Sequence, residues 1–202
     1  MKNFTNEFMV RKLSKEVVSF IQELEQPHRH SNNKDVSKHL ERLYRKGIFT
    51  KQDYLFCSAR VLLNDFSYMV EDHVGRGCNA GFLFYDKGKN LLYYGAGAHY
   101  PPSMKKVCIR AKPVVDLEYT THYKDDVLPV PDIYEWYDNP FKIAMINDGV
   151  KSFTSKRLRH NGLTFGTFEM YFPQKGSATE EEIAFVKEQM QPLKEKLFHI
   201  RE

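Results

Sequence analysis

The sequence predicts an α+β fold, in which an antiparallel sheet packs against helices. Two stretches, 78–97 and 151–172, each consist of two apolar or aromatic runs divided by a short polar turn, which is typical of β-hairpins. Segments with helical spacing of their apolar residues flank these hairpins, at 51–75 and after 179. Because such a helix buries only one stripe, it needs a sheet face to cover, and a layered architecture follows.

Composition indicates one substantial core in a chain of 202 residues, with a high aromatic fraction of 14%. No apolar run approaches the ~20 residues that span a bilayer, and the charged N-terminus does not resemble a signal peptide, so we expect a cytoplasmic protein. The three cysteines, Cys57, Cys78 and Cys108, are widely spaced and predict buried free thiols rather than a disulfide framework.

The first quarter of the chain predicts two helices. Apolar spacing favours one helix within 4–26 and a second over 36–46, which Gly47 would cap. We interpret residues 1–50 as an N-terminal helical extension ahead of the main domain at 51–202.

The long helix over 51–75 has a defined start. Thr50 and Asp53 resemble a capping box, and Gly75 lies at the expected end. The helix is amphipathic and is expected to cover the sheet.

The first hairpin predicts strands at Cys78–Tyr85 and Leu91–Gly97, joined by a turn in which Gly88 is available for a positive φ. The loop that follows, Ala98–Met104, is placed to lie beside a pocket. Prolines then punctuate residues 98–150, which predicts short elements.

Within that proline-rich region we expect short helices near 131–138 and 140–148, and a short strand near Pro113–Leu117. The second hairpin is predicted at 151–172, where Asn161 and Gly162 form a strong turn signal. The closing helix begins at a capping box of Thr179 and Glu182, and Pro192 is expected to kink it.

Four motifs in this order resemble the GAF domain family, most closely the modules found ahead of bacterial signalling output domains. The residues that carry the resemblance are the Cys-led strand 78–86, the loop segments 95–98 and 101–103, the strand 149–155, and Asn161-Gly162 with 166–172. The resemblance spans about 51–200.

The resemblance implies a six-stranded antiparallel sheet with a helical layer on one face and a pocket-forming irregular region on the other. Members of the family bind cyclic nucleotides, tetrapyrroles or metabolites, or dimerise through the helical face. We therefore expect a sensory protein that binds an unidentified small molecule, requires no particular cofactor, and acts without an attached output domain through a homodimer or a partner.

The predicted pocket is aromatic with a few polar groups, the usual form of a small-molecule site. Its candidate residues are Phe82, Phe84, Tyr100, Met104, Cys108, Tyr119, Tyr134, Trp136, Tyr137, Phe141, Phe153, Phe165 and Glu169. A carboxylate in mid-strand is costly to bury, so we expect Glu169 to face solvent or helix ends; contact with a polar ligand is the alternative. A collapsed pocket with a purely structural role is a further alternative.

Nucleic-acid binding is a second hypothesis, because residues 34–51 resemble the recognition helix and wing of winged-helix repressors. Residues 1–52 hold 11 Lys/Arg against 6 Asp/Glu, and a cluster of basic residues suits phosphate contacts. These residues are Lys34, Lys38, Arg42, Arg45 and Lys46. Only 27–35 separates the two helices, which is too short for the extra helix of a helix-turn-helix, so a helical cap or dimerisation arm is preferred.

Cysteine chemistry is a third hypothesis, since some GAF proteins reduce free methionine sulfoxide. Such chemistry needs a low-pKa thiolate and a resolving thiol. Cys108 lies between Lys106 and Arg110, an electropositive setting, but the Gly-rich cysteine loop of those reductases is absent. His28 and His30 in a polar linker would bind a metal only weakly, so no metal site is predicted.

Overall fold

The structure, a computed structural model, describes residues 13–25, 33–108, 111–113 and 123–199. Within them the chain forms six helices and five strands. In chain order the elements are α1 Lys15–Leu24, α2 Asn33–Arg45, α3 Lys51–Val74, β1 Asn79–Asp86, β2 Leu91–Ala96, α4 Pro102–Val107, β3 Val127–Val130, α5 Pro140–Asn147, β4 Ser152–His160, β5 Leu163–Phe172 and α6 Glu180–His199.

The strands form one antiparallel sheet in the order β2-β1-β5-β4-β3, which confirms the predicted α+β architecture. The described residues contribute five strands to it, so the sixth strand stays a prediction. Beyond the β2 edge, Ala111 forms a single bridge with Leu92. Of the strand expected near Pro113–Leu117, residues 114–117 lie outside the described part of the chain.

Helix α3 is the common partner of the helical layer. Phe66 and Val70 pack against Phe82 and Phe168 on one face of the sheet, and α6 adds Val186 to the same core. This burial of apolar side chains is the main source of stability for that layer.

The N-terminal helices form a separate core on α3. Phe20 of α1 and Leu40 of α2 are buried together with Phe49, and they pack around Cys57 and Val61 of α3. Residues 4–12 and 26–32, which the sequence analysis assigned to the first helix and the loop after it, lie outside the described residues.

Local signals in the sequence are confirmed at the ends of helices. Thr50 and Asp53 exchange backbone-to-side-chain hydrogen bonds of 2.9 and 3.1 Å, a complete capping box. Thr179 and Glu182 do the same at the start of α6, at 2.7 and 3.2 Å. Gly47 follows α2 with a φ of +68°, which glycine adopts without strain.

The turn between β4 and β5 is also confirmed. Asn161 and Gly162 have φ values of +50° and +77°, the pattern of a type I′ hairpin turn. Strand β4 runs two residues closer to the turn than expected, to His160, whereas β5 has the predicted bounds, Leu163–Phe172. Pro192 lies inside α6, which continues to His199.

The proline-rich middle departs from expectation in two places. Residues 131–138 form turns rather than a helix, and the Asp132 carboxylate accepts a hydrogen bond of 2.9 Å from the Tyr134 N–H. The edge strand β3 was not expected because it contains Pro129. An edge position tolerates proline, since one side of the strand needs no N–H donor there. Helix α4 was also unexpected, whereas α5 confirms the helix near 140–148.

Candidate ligand-binding site

A cavity lies over the sheet face that points away from α3. It offers about 50 Å³ to the centres of water molecules, room for about three or four waters. The lining residues are Leu83, Leu92, Met104, Pro113, Tyr123, Leu128, Trp136, Phe141, Met145, Phe153, Ser155, Thr167, Glu169 and Tyr171.

The floor of the cavity is built by strand alternation. Thr167, Glu169 and Tyr171 are alternate residues of β5 and therefore share one face of the sheet. On the neighbouring strand, Ser155 is paired with Glu169 and Phe153 with Tyr171. The central strands thus present a polar cluster beside aromatic rings.

Glu169 is the ionisable group at the centre of this floor. Its side chain is buried, with the residue only 6% exposed, and Oε1 accepts a hydrogen bond of 2.9 Å from Ser155 Oγ. The Ser155 hydroxyl is also 2.8 Å from Tyr123 Oη. The expectation that Glu169 faces solvent or helix ends is wrong, because β5 is the middle strand of the sheet and both of its faces are covered.

Burial shifts the proton affinity of this carboxyl. Loss of hydration raises the pKa of Glu169 from 4.5 to about 7, against the opposing effect of the Thr167 and Ser155 hydroxyls. Thr167 Oγ1 is itself buried without a hydrogen bond of regular geometry. The floor therefore combines a weakly acidic carboxyl with a hydroxyl that has bonding capacity to spare.

Aromatic side chains form the walls. Trp136 packs edge-to-face on Phe153 with ring centroids 4.9 Å apart. Tyr171 makes a hydrogen bond of 2.7 Å with Tyr100, which is fully buried behind it. Phe141 of α5 adds a further wall.

Five of the candidate residues predicted from the sequence line the cavity. They are Met104, Trp136, Phe141, Phe153 and Glu169. Tyr100 and Cys108 are buried in the apolar core around the cavity without lining it. Tyr134 and Tyr137 are exposed, at 57% and 46%. Tyr119 lies outside the described residues.

The remaining candidates lie on the opposite face of the sheet. Phe82 and Phe84 are buried in the core beneath α3, and Phe165 packs against that core. For Phe82 and Phe84 the reason is the period of two along β1, which turns Leu83 toward the cavity and its neighbours away from it.

Nine lining residues were not among the candidates predicted from the sequence. These are Leu83, Leu92, Pro113, Tyr123, Leu128, Met145, Ser155, Thr167 and Tyr171. A signal for three of them was present: once Glu169 and Phe153 are placed in a pocket, alternation adds Thr167, Tyr171 and Ser155.

The cysteines lie in three different cores. Cys57 belongs to the N-terminal core, Cys78 to the core beneath α3, and Cys108 to the core around the cavity. The electropositive setting expected for Cys108 is not dominant, because burial and the nearby Glu169 raise the pKa of its thiol to about 12. Burial also raises the pKa of Cys78. This arrangement does not support a low-pKa thiolate with a resolving partner.

The basic segment 34–51 lies on the molecular surface. Val36 and Leu40 of α2 are buried against α3, while the exposed Lys38 and Arg45 make ion pairs with acidic residues of the same helix, Asp35 and Glu41. Part of the basic charge is therefore neutralised within α2, and the outer face of the helix is solvated.

The described residues contain neither a membrane-spanning helix nor a cluster of metal ligands. No helix there combines the length and apolar character needed to cross a membrane. The same residues contain no cluster of three or more His, Cys, Asp or Glu side chains arranged to hold a metal ion.

This chain resembles known proteins in its structure and not in its sequence. No family model matches the chain, and no curated protein matches it. Similar solved structures include the PixJ GAF domain of Thermosynechococcus elongatus in its blue-light-absorbing form, at 10% identity and a TM-score of 0.57, covering 73% of this chain and 89% of that chain. A GAF domain/HD domain protein from Geobacter sulfurreducens follows at 13% identity and a TM-score of 0.55, covering 72% and 95%.

An enzyme shares this architecture. The free methionine-R-sulfoxide reductase of Neisseria meningitidis, solved with its substrate, is similar at 14% identity and a TM-score of 0.51, covering 87% of this chain and 95% of that chain. At such identities the likeness establishes the fold. The chain therefore has the fold of GAF domains, as the sequence motifs predicted.

The raised pKa of Glu169 predicts a pH-dependent stability. Since the folded state holds this proton more tightly than the unfolded chain, the contribution of Glu169 to stability is fully present below pH 4.5 and is lost as pH rises through about 7. A Glu169→Gln variant lacks this loss. Its free energy of unfolding relative to the native protein should rise by about 3 kcal/mol between pH 4.5 and 8, measured by chemical denaturation.

The control is Glu188→Gln, which removes the same charge from an exposed position on α6. Its difference from the native protein should stay flat over the same pH range. A flat difference for Glu169→Gln as well would mean that Glu169 ionises normally in the folded protein.

Proposed function

We propose that this protein is a sensory or regulatory module that binds a small molecule in the cavity over the sheet. The observation that supports this most is the polar floor of Glu169, Ser155 and Thr167 inside an otherwise apolar cavity with aromatic walls. A buried carboxyl costs stability unless it is paired, and Glu169 has hydroxyl neighbours but no ion-pair partner among the described residues. A ligand that contacts this floor would offset that cost.

The chemistry of the cavity supports recognition of a compact ligand. Aromatic walls supply apolar contact, and a few polar groups fix orientation. The volume suits a small metabolite rather than a large cofactor such as a tetrapyrrole, although the fold is shared with a light-absorbing GAF domain.

A path for reporting occupancy runs through α4. Met104 lines the cavity, and the next residue, Lys105, makes a 3.3 Å ion pair with Glu25 at the end of α1. Glu25 also pairs with Arg60 of α3 at 2.6 Å, and both cations lie over the ring of Tyr94. A displacement of α4 would therefore change the ion pairs at the end of α1.

The first turn of α4 is hydrogen-bonded to the end of α5. Asp148, at the end of α5, accepts hydrogen bonds from the backbone N–H groups of Ser103 and Met104, at 2.8 and 3.2 Å. The helix is thus anchored beside the cavity while its Lys105 side chain reaches α1. We propose that residues 1–50 act as a reporting arm on the main domain at 51–202, with output through a homodimer of the helical face or through a partner.

Ligand binding is tested by a thermal-shift screen with nucleotides, amino acids, organic cations and haem. In a Thr167→Leu variant, the larger apolar side chain would occupy cavity space and remove the hydroxyl beside Glu169. We expect at least one compound to raise the melting temperature of the native protein, and the shift to disappear in Thr167→Leu.

The matched control is Met170→Leu, a volume-conserving change on the helix-facing side of the same strand, which should keep the ligand shift. The proposal fails if no compound gives a shift, or if the shift is the same in Thr167→Leu.

The reporting path is tested by hydrogen exchange with the ligand from that screen. Binding to the native protein should change backbone exchange in α1, and Lys105→Met should abolish this change because the link to Glu25 is lost. Lys106→Met, a neighbouring exposed lysine, is the control and should behave like the native protein. An undiminished response of α1 in Lys105→Met would rule out this path.

A further inference from the structure

We propose that the ligand of this cavity is a small organic cation, recognised by Glu169 and the aromatic walls. This inference rests on the proposed function, since it names the chemical class of ligand for the same site. It is drawn from the charges, rings and volume of the cavity.

The Glu169 carboxyl has no cationic partner in the cavity. Among the described residues, Glu169 makes no ion pair; its neighbours are hydroxyls, Ser155 Oγ at 2.9 Å from Oε1 and Thr167, which also favours the ionised form. Arg157, two positions from Ser155 on the same strand face, is held by Asp126 at 2.7 and 2.8 Å. A buried carboxylate is stabilised by an opposite charge. Because no described residue provides that charge to Glu169, a cationic ligand would.

The cavity walls are rich in aromatic rings. Five of the lining side chains are aromatic: Tyr123, Trp136, Phe141, Phe153 and Tyr171. A cation within ~6 Å of a ring centroid is attracted by the π electrons, most strongly over Trp, and the attraction grows when water is excluded. An anion would meet both these ring faces and the Glu169 carboxylate unfavourably.

The volume of the cavity suits a compact ligand. Room for about three or four waters corresponds to roughly 100 Å³ of liquid volume, which suits a compact amine or quaternary ammonium ion. The Ser155 and Thr167 hydroxyls beside the carboxylate would accept or donate hydrogen bonds to a polar substituent of such a ligand.

Glu169 is the group expected to control the pH dependence of cation binding, because its ionisable neighbours do not change charge near pH 7. Burial raises the pKa values of Tyr100, Tyr123, Tyr171 and Cys108, so these groups stay neutral near pH 7. The remaining charged neighbours, Arg157 and Asp126, form the ion pair described above. The lining residues contributed by β1, β2, β3, α4 and α5 are apolar. Cation affinity should therefore rise with pH as Glu169 ionises.

The experiment is calorimetric titration with two matched pairs: choline with its uncharged carbon analogue 3,3-dimethylbutanol, and isobutylammonium with isobutanol. At pH 8 we expect at least one cation to bind at least tenfold more tightly than its uncharged partner. Its affinity should fall by about tenfold at pH 6, in proportion to the ionised fraction of a carboxyl that titrates near pH 7.

Three variants separate the contributions. Glu169→Gln keeps the shape of the side chain and should abolish the preference for the cation. Trp136→Leu should lower the affinity for the cation about tenfold through the loss of a ring face. The affinity for the uncharged analogue should stay nearly the same. Glu188→Gln, which removes an exposed charge remote in sequence from the cavity residues, should bind like the native protein.

The inference is overturned if the uncharged partners bind as well as the cations, if the preference survives in Glu169→Gln, or if neither cation binds. In the first case, binding that is lost in Thr167→Leu would still support the proposed function with a neutral ligand. The absence of any cavity-dependent ligand in the wider screen would instead overturn the proposed function itself.

Discussion

The burial of both faces of β5 is the constraint on which the rest of the structure depends. This strand lies between β1 and β4, and its residues from Gly166 to Phe172 are all buried. Phe168, Met170 and Phe172 join the core beneath α3, and the residues between them face the cavity. One alternating strand thus holds the helical layer in place and builds the floor of the site, so the fold and the site cannot vary independently.

Two buried carboxylates differ in their surroundings, and the role proposed for Glu169 rests on that difference. Glu71 of α3 accepts a 2.7 Å hydrogen bond from the Ala80 N–H, and its other oxygen is 2.6 Å from His99 Nδ1. These partners tie α3 to β1 and to the loop after β2, which gives the carboxylate a structural role. Glu169 has hydroxyl neighbours and no cation among the described residues. That contrast is the physical basis for assigning ligand recognition to Glu169 rather than to Glu71.

The sequence predicts well whatever depends on neighbouring residues. The capping boxes, the Asn161-Gly162 turn and the two hairpins are local and form as expected. The face on which Phe82 and Phe84 would lie depends on where α3 packs, which alternation alone does not decide. Strand β3 forms by pairing with β4 at sequence separations of 23 to 29 positions, and Pro129 makes the segment look unlike a strand. Glu169 was selected, but its burial follows from a central strand position that only the sheet order reveals.

The central claim is that Glu169 is a buried carboxyl in contact with the ligand. Its most direct test is a titration of the Glu169 side-chain carboxyl followed by ¹³C NMR, with and without bound ligand, the signal being assigned with Glu169→Gln. The account predicts a pKa near 7 in the free protein and a clear fall when an organic cation is bound, because a neighbouring positive charge favours the ionised form. A pKa near 4.5 in the free protein, or one that does not respond to any ligand of the cavity, would contradict it.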